Sequence, residues 1–226
     1  MIIQKDNFLI RRNEEDKEYI TSLDLKSIYL RVKKLFNFKG DLFIRLCLVY
    51  SPEEFVFFTG HNKFEKWFCG SCGYFNTVYI VSPTVIEEIS THKKQELPGL
   101  IAHEISHLLY GNMRLPQFPF FNEGIANYIK YSIYMNDKLN LDINKIKIDS
   151  LKGLDKKIPE YNYAIGRFLV SRIIDLLGEE KAMEKIISFL KESNSEDSEE
   201  ILFKRFEEHF GHKADDIIKL KGGKEK

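Results

Sequence analysis

The chain has 226 residues, 43% of them apolar, enough to bury one substantial core or two small ones. Its 34 basic residues are balanced by 34 acidic ones, which argues against nucleic acid or a membrane surface as partner, because both roles lean on surplus Lys and Arg. No apolar run reaches the length of a membrane span, and the charged stretch Arg11-Arg-Asn-Glu-Glu-Asp-Lys17 follows a start with no secretory apolar core, so a cytoplasmic location is the expectation.

Residues 1–18 are mixed and charged and read as loosely ordered. Leu23, Ile28, Leu30, Val32, Leu35 and Phe36 recur among polar residues, which predicts an amphipathic helix over 19–37. Leu42 to Tyr50 is rich in β-formers and predicts a strand. Ser51-Pro52-Glu53-Glu54 supplies a cap, a proline at the first helical position and two acids, so a short helix runs to about Phe58. Gly60 to Gly73 reads as loop, and Tyr74 to Val81 as a second strand, clearest from Val78. Ser82-Pro83-Thr84 opens a short helix to about Ser90.

A helix over roughly 94–110 follows. At about 100° per residue, Leu97, Ile101, Ile105, Leu108 and Leu109 form one apolar stripe, with His103 and His107 roughly opposite. Pro98 suits a first turn, and Gly111-Asn112 suits a stop. Phe120 to Tyr134 is helical again, with Ile125, Ile129 and Ile133 in one line. Residues 136–160 are polar and read as loop with a little strand around Ile146 to Ile148. Tyr161–Leu177, Glu179–Lys191 and Ser198–Phe210 complete a helical C-terminal half. The simplest organisation is one α+β domain over 1–226, with a sheet-containing lobe at about 19–110 and a helical lobe at about 111–215.

The chemistry gathers on His103-Glu104-Ile-Ser-His107. Side chains at i and i+4 lie on one helix face, so both imidazoles can reach one metal, with Glu104 beside them to take a proton from the water that a metal activates. The plainer reading is two surface histidines. A catalytic zinc takes a third protein ligand, and Glu123 is the candidate, sixteen residues after His107 across a turn. Its plain reading is an acid at a helix start. A third histidine six residues past the motif is excluded, because Met113 stands there. His61, His92, His209 and His212 lie far off in sequence and read as surface or internally satisfied. Cys69-Gly-Ser-Cys72 has the spacing of a redox pair, or of a second zinc site with His61 or Cys47; the plain reading is small residues at a loop-to-strand junction.

His103-Glu-Ile-Ser-His107 followed by Phe120-Phe-Asn-Glu123-Gly-Ile-Ala-Asn-Tyr128 resembles the gluzincin zinc metallopeptidases, and Tyr161-Asn-Tyr163-Ala-Ile-Gly166 resembles the Y-x-x-G helix of that group. The resemblance spans about residues 75–210 and implies a zincin-like fold, with Zn2+ held by His103, His107 and Glu123. It further implies Glu104 as general base and the Tyr163 hydroxyl as oxyanion donor, with Tyr161 in reserve. Asn127 would accept from a ligand imidazole, and Asn76–Ile80 would pair with an extended peptide or protein substrate. Gly70-Ser-Cys-Gly-Tyr-Phe-Asn76 lacks the acid with which aminopeptidases of the group hold a free amino terminus, which favours an endopeptidase. The alternatives are an aminopeptidase, a catalytically weak zinc- or peptide-binding module of the same fold, a thiol-redox protein, and a regulator acting on one protein partner.

Overall fold

A computed structural model describes residues 1–135, 148–152 and 159–219, with side chains from Tyr163 onward in the last of these. The chain divides into two compact units, one comprising Met1–Lys34 and Phe38–Leu108, the other Leu35–Asn37 and Leu109–Lys226. Among the described residues the structure is mixed α and β with one five-stranded sheet.

The first unit carries the sheet. Its strands are β1 (Ile2–Lys5), β2 (Phe8–Arg11), β3 (Ile44–Val49), β4 (Gly70–Gly73) and β5 (Thr77–Val81), in the spatial order β1-β2-β3-β5-β4. The β2-β3 and β3-β5 pairs are parallel, and the outer pairs antiparallel. Phe8, Ile10, Leu46, Leu48, Val78 and Ile80 are buried along the three inner strands. Between strands lie α1 (Lys17–Ser22), α2 (Leu25–Leu35) and α3 (Pro52–Thr59), and the single turn α4 (Ile86–Ile89) follows β5. The Ser51 hydroxyl accepts from the Glu54 amide at 3.1 Å, the cap that the Ser-Pro-Glu-Glu run predicts.

Four expectations are corrected here. Residues 1–18 are not loose: β1 and β2 form a hairpin across Asp6-Asn7, with Asp6 in the left-handed region at φ 51. The helix over 19–37 is two helices, because Leu23 is extended and Asp24 caps the second, its carboxylate accepting from the Ser27 amide at 3.0 Å. The loop from Gly60 ends in strand β4, and Tyr74–Asn76 form the tight turn between β4 and β5. The long helix α5 (Leu97–Asn112) passes through Gly111, and the left-handed residue beyond it is Arg114 at φ 54. The predicted stripe on α5 holds: Leu97, Ile101, Ile105, Leu108 and Leu109 are all buried.

The second unit is helical. It contains α6 (Pro119–Asn127), which continues as a wider π-type turn over Tyr128–Tyr134, then α7 (Pro159–Leu177), α8 (Glu179–Glu192), α9 (Glu199–Phe210) and α10 (Ala214–Lys219), the last not anticipated. Phe121, Phe189, Phe206 and Phe210 pack ring against ring in that unit, with centroids 5.4 Å apart for Phe121–Phe189 and 4.4 Å for Phe206–Phe210, both pairs tilted. Of the strand expected around Ile146–Ile148, Ile146 and Lys147 lie outside the described residues, and Ile148 is not in a strand, its amide donating to the Asp215 carboxylate at 3.0 Å. Among the described residues no helix is long and apolar enough to cross a membrane.

Candidate metal centre

His103 and His107 sit one turn apart on α5, half-buried, on the side away from the apolar stripe. Their Nε2 atoms are 3.0 Å apart, and the rings stand nearly perpendicular, at 85°. Two nitrogens at zinc–nitrogen distance in a tetrahedral site would stand roughly 3.3 Å apart, so the pair needs little adjustment to share one ion. One ligand atom from each of His103, His107 and Glu123 lies within 4.8 Å of the other two. Two imidazole nitrogens and one carboxylate oxygen make the donor set of a catalytic zinc site, which leaves one coordination place for water. These residues therefore fit the ion.

Glu104 follows His103 on α5 and is 4% exposed. Its carboxylate lies against β4. A Cβ built on Gly70 would come 2.6 Å from Glu104 Oε1. The periodicity of the sequence gives no hint of this neighbour.

Glu123 lies on α6 and Tyr163 on α7, and glycines explain why these two helices run so close. A Cβ at Gly124 would meet the carbonyl of Gly166 at 2.8 Å, and one at Gly166 would meet the Phe120 carbonyl oxygen at 2.6 Å. Backbone lies on backbone there, which only glycine permits. Tyr163 precedes Gly166 by three residues, on the same helix. Burial, and then the charge of Glu123, raise the Tyr163 hydroxyl above its ordinary pKa, so it stays a proton donor at neutral pH. The glycines of the Asn-Glu-Gly and Tyr-x-x-Gly segments are thus the physical reason that Glu123 and Tyr163 feel each other.

Two expectations change. Asn127 turns to its own helix, its amide donating to the Glu123 carbonyl at 2.9 Å. Strand β5 cannot take a substrate strand, because β3 pairs with one side of it and β4 with the other. The outermost strand at that side, among the described residues, is β4. Cys69 and Cys72 stand where the plain reading has them, at a loop-to-strand junction: Cys69 is buried just before β4, and Cys72 is exposed within it. All three cysteines are thiols.

The remaining histidines have ordinary partners. His61 packs against Phe55 and Phe68. His92 lies between the Glu96 carboxylate, at 2.6 Å, and the Trp67 carbonyl, at 2.9 Å. His209 is 3.3 Å from Glu192, and His212 is exposed. Among the described residues, the metal-ligating cluster is His103, His107 and Glu123. The side chain of Tyr161 lies outside the described residues. No family model matches this chain, and neither does any curated protein.

Proposed function

We propose that this chain is a zinc-dependent peptidase of the gluzincin type, with a zincin-like fold, cutting within peptide or protein chains. The observation that carries the reading is the convergence of His103, His107 and Glu123, with one ligand atom each inside 4.8 Å. When bound, the zinc supplies a Lewis-acid centre that polarises a carbonyl and brings the pKa of a water molecule to about 7.

The chain's own residues do the rest. Glu104, next to His103 on the same helix, takes the proton from the attacking water as general base and passes it to the leaving amine. The Tyr163 hydroxyl, kept protonated by burial and by Glu123, donates to the oxygen on which negative charge develops. An extended substrate adds to the outer side of β4, where backbone groups hold it in register. The residues on β4 are Gly70, Ser71, Cys72 and Gly73. None is an acid that would fix a free amino terminus, which supports internal cleavage.

The test is a peptide-library digest by the parent and by Glu104→Gln, with zinc measured in both. The variant should keep its zinc and lose roughly 10²- to 10⁴-fold in turnover, the contribution of a positioned general base. Equal turnover in the two proteins, or a parent that binds no zinc, overturns the proposal.

A further inference from the structure

We infer that Gly70 is a positioning residue for the general base: the Glu104 carboxylate occupies the space that a side chain at position 70 would fill. The inference rests on the proposed peptidase reading and adds a residue to it.

Glycine is disfavoured inside a strand, because it packs nothing and loses more backbone freedom on folding than other residues. Its presence at 70 therefore needs a cause, and two are available. The first is backbone conformation. The glycines with left-handed φ are Gly60, Gly178 and Gly211, so Gly70 is not among them and its backbone would accept any residue. The second is space. A Cβ on Gly70 would stand 2.6 Å from Glu104 Oε1, 3.1 Å from Glu104 Cδ and 3.0 Å from Ile80 Cδ1. The one outright clash is with the carboxylate oxygen, and the other two distances are tight contacts.

Of these neighbours the Glu104 carboxylate, the far end of a flexible side chain, is the one that must give way to a new methyl. Ile80 is fully buried and Glu104 is 4% exposed. Gly70 pairs directly with Ile80 across the β4-β5 ladder, and paired residues point to the same side of a sheet. The missing side chain of Gly70 thus leaves a slot on that side, walled by Ile80, which the carboxylate enters from α5.

A glutamate has three rotatable bonds, and proton transfer demands a heavy-atom distance of about 2.6–3.2 Å. A slot that admits the carboxylate in one position removes most of that freedom before substrate arrives. Displacing a catalytic group by about 1 Å costs on the order of 10²-fold in rate.

The experiment compares the parent with Gly70→Ala, using a quenched-fluorescence peptide that the parent cleaves. Gly70→Ala should lose about 10²-fold in kcat, while KM stays within about threefold and zinc content is unchanged, because Glu104 is not a ligand. A crystal structure of the variant should show the Glu104 carboxylate moved out of its slot. Gly111→Ala, whose new methyl meets nothing within 4 Å, is the control and should keep parental kcat. Gly70→Ala/Ile80→Val removes the Ile80 methyl that the new side chain meets. It should fold even where the single variant does not, and it should remain slow.

Parental kcat in Gly70→Ala, recovery of kcat in the double variant, or an unmoved carboxylate beside a shifted β4 each overturn the inference. If Glu104→Gln is inactive while Gly70→Ala is not, this inference alone falls. If Glu104→Gln is as active as the parent, the peptidase reading falls first.

Discussion

In α5 the histidines stand clear because apolar residues recur at helical spacing and turn the opposite side inward. In the α6–α7 pair, Glu123 and Tyr163 come together because two glycines let one backbone rest on another. The first device is spread over five side chains, Leu97, Ile101, Ile105, Leu108 and Leu109, and any one of them can be exchanged for a similar residue at modest cost. The second depends on two atoms that are not there. A repeating face tolerates change, whereas a backbone crossing does not tolerate one methyl group.

The largest effect that separates the two should come from His107→Ala. Its zinc occupancy should fall to near zero in dialysed protein. Turnover should fall by more than the ~10- to 100-fold that outer hydrogen-bonding partners of a metal ligand contribute. The ring is half-buried on the side away from the stripe, so thermal unfolding of the zinc-free variant should match that of the zinc-free parent. A large drop in the variant's apo stability would mean that the ring is packing, and that the α5 face is less tolerant than its pattern says.

Gly166→Ala should do the reverse. Its Cβ would sit 2.6 Å from the Phe120 carbonyl oxygen, and a backbone carbonyl cannot swing aside. Forcing α6 and α7 apart should cost about 1–3 kcal/mol, the range for overpacked cores, read as a lowered urea midpoint. Gly124→Ala, at 2.8 Å from the Gly166 carbonyl, should cost a similar amount. The pair of substitutions should cost less than the sum, because once the helices have separated for one methyl the second finds room. An unchanged urea midpoint in Gly166→Ala would show that the crossing is not what holds Glu123 beside Tyr163.

The same contrast explains what could be read from the residues alone. The α5 stripe, the His103–His107 facing and the Ser51 cap are local patterns, set within one or two helical turns, and each stands as the spacing says. Strand β4 carries no local signal for a physical reason: two of its four residues are glycine, and it pairs with β5, which no local periodicity records. The β1–β2 hairpin leaves no local signal, because four-residue strands are too short to show alternation. The enclosure of β5 is equally invisible to local pattern, since it follows from the sheet order. Gly70 lies thirty-four residues before Glu104, so the slot between them is a product of topology.

A smaller effect tests the far end of α5. Tyr110 is 1% exposed and donates to the Pro116 carbonyl at 2.6 Å, and burial pushes its hydroxyl well above the ordinary tyrosine pKa. Tyr50, which donates to the fully buried Asp16 at 2.6 Å, is raised as well, chiefly by burial. In the unfolded chain both ionise near pH 10, while in the folded chain both stay protonated beyond it. Their contribution to stability is therefore complete below about pH 10 and is lost as the pH climbs from there through the folded values. Urea midpoints should hold steady up to about pH 10 and fall above it. Tyr110→Phe should make that fall shallower while lowering stability at neutral pH by about 0.5–1.5 kcal/mol for the lost hydrogen bond. A midpoint that does not fall in alkali would remove the burial argument for both hydroxyls.

The smallest effect has the opposite sign. Gly111 stands inside α5, with no left-handed φ and nothing within 4 Å of the position its Cβ would take. It is the converse of Gly166: a glycine in a helix that no neighbour requires. Alanine there relieves the unfolded chain of conformations that glycine allows, so Gly111→Ala should raise stability by about 0.5–1 kcal/mol. The same chemical change, one methyl on a helical glycine, should thus stabilise at 111 and destabilise at 166, with no difference in intrinsic helix preference to account for it. Measuring both in one urea series isolates the space around each glycine as the deciding variable. Destabilisation at both positions would mean that the last turn of α5 is also crowded, and that α5 is not the tolerant half of the comparison.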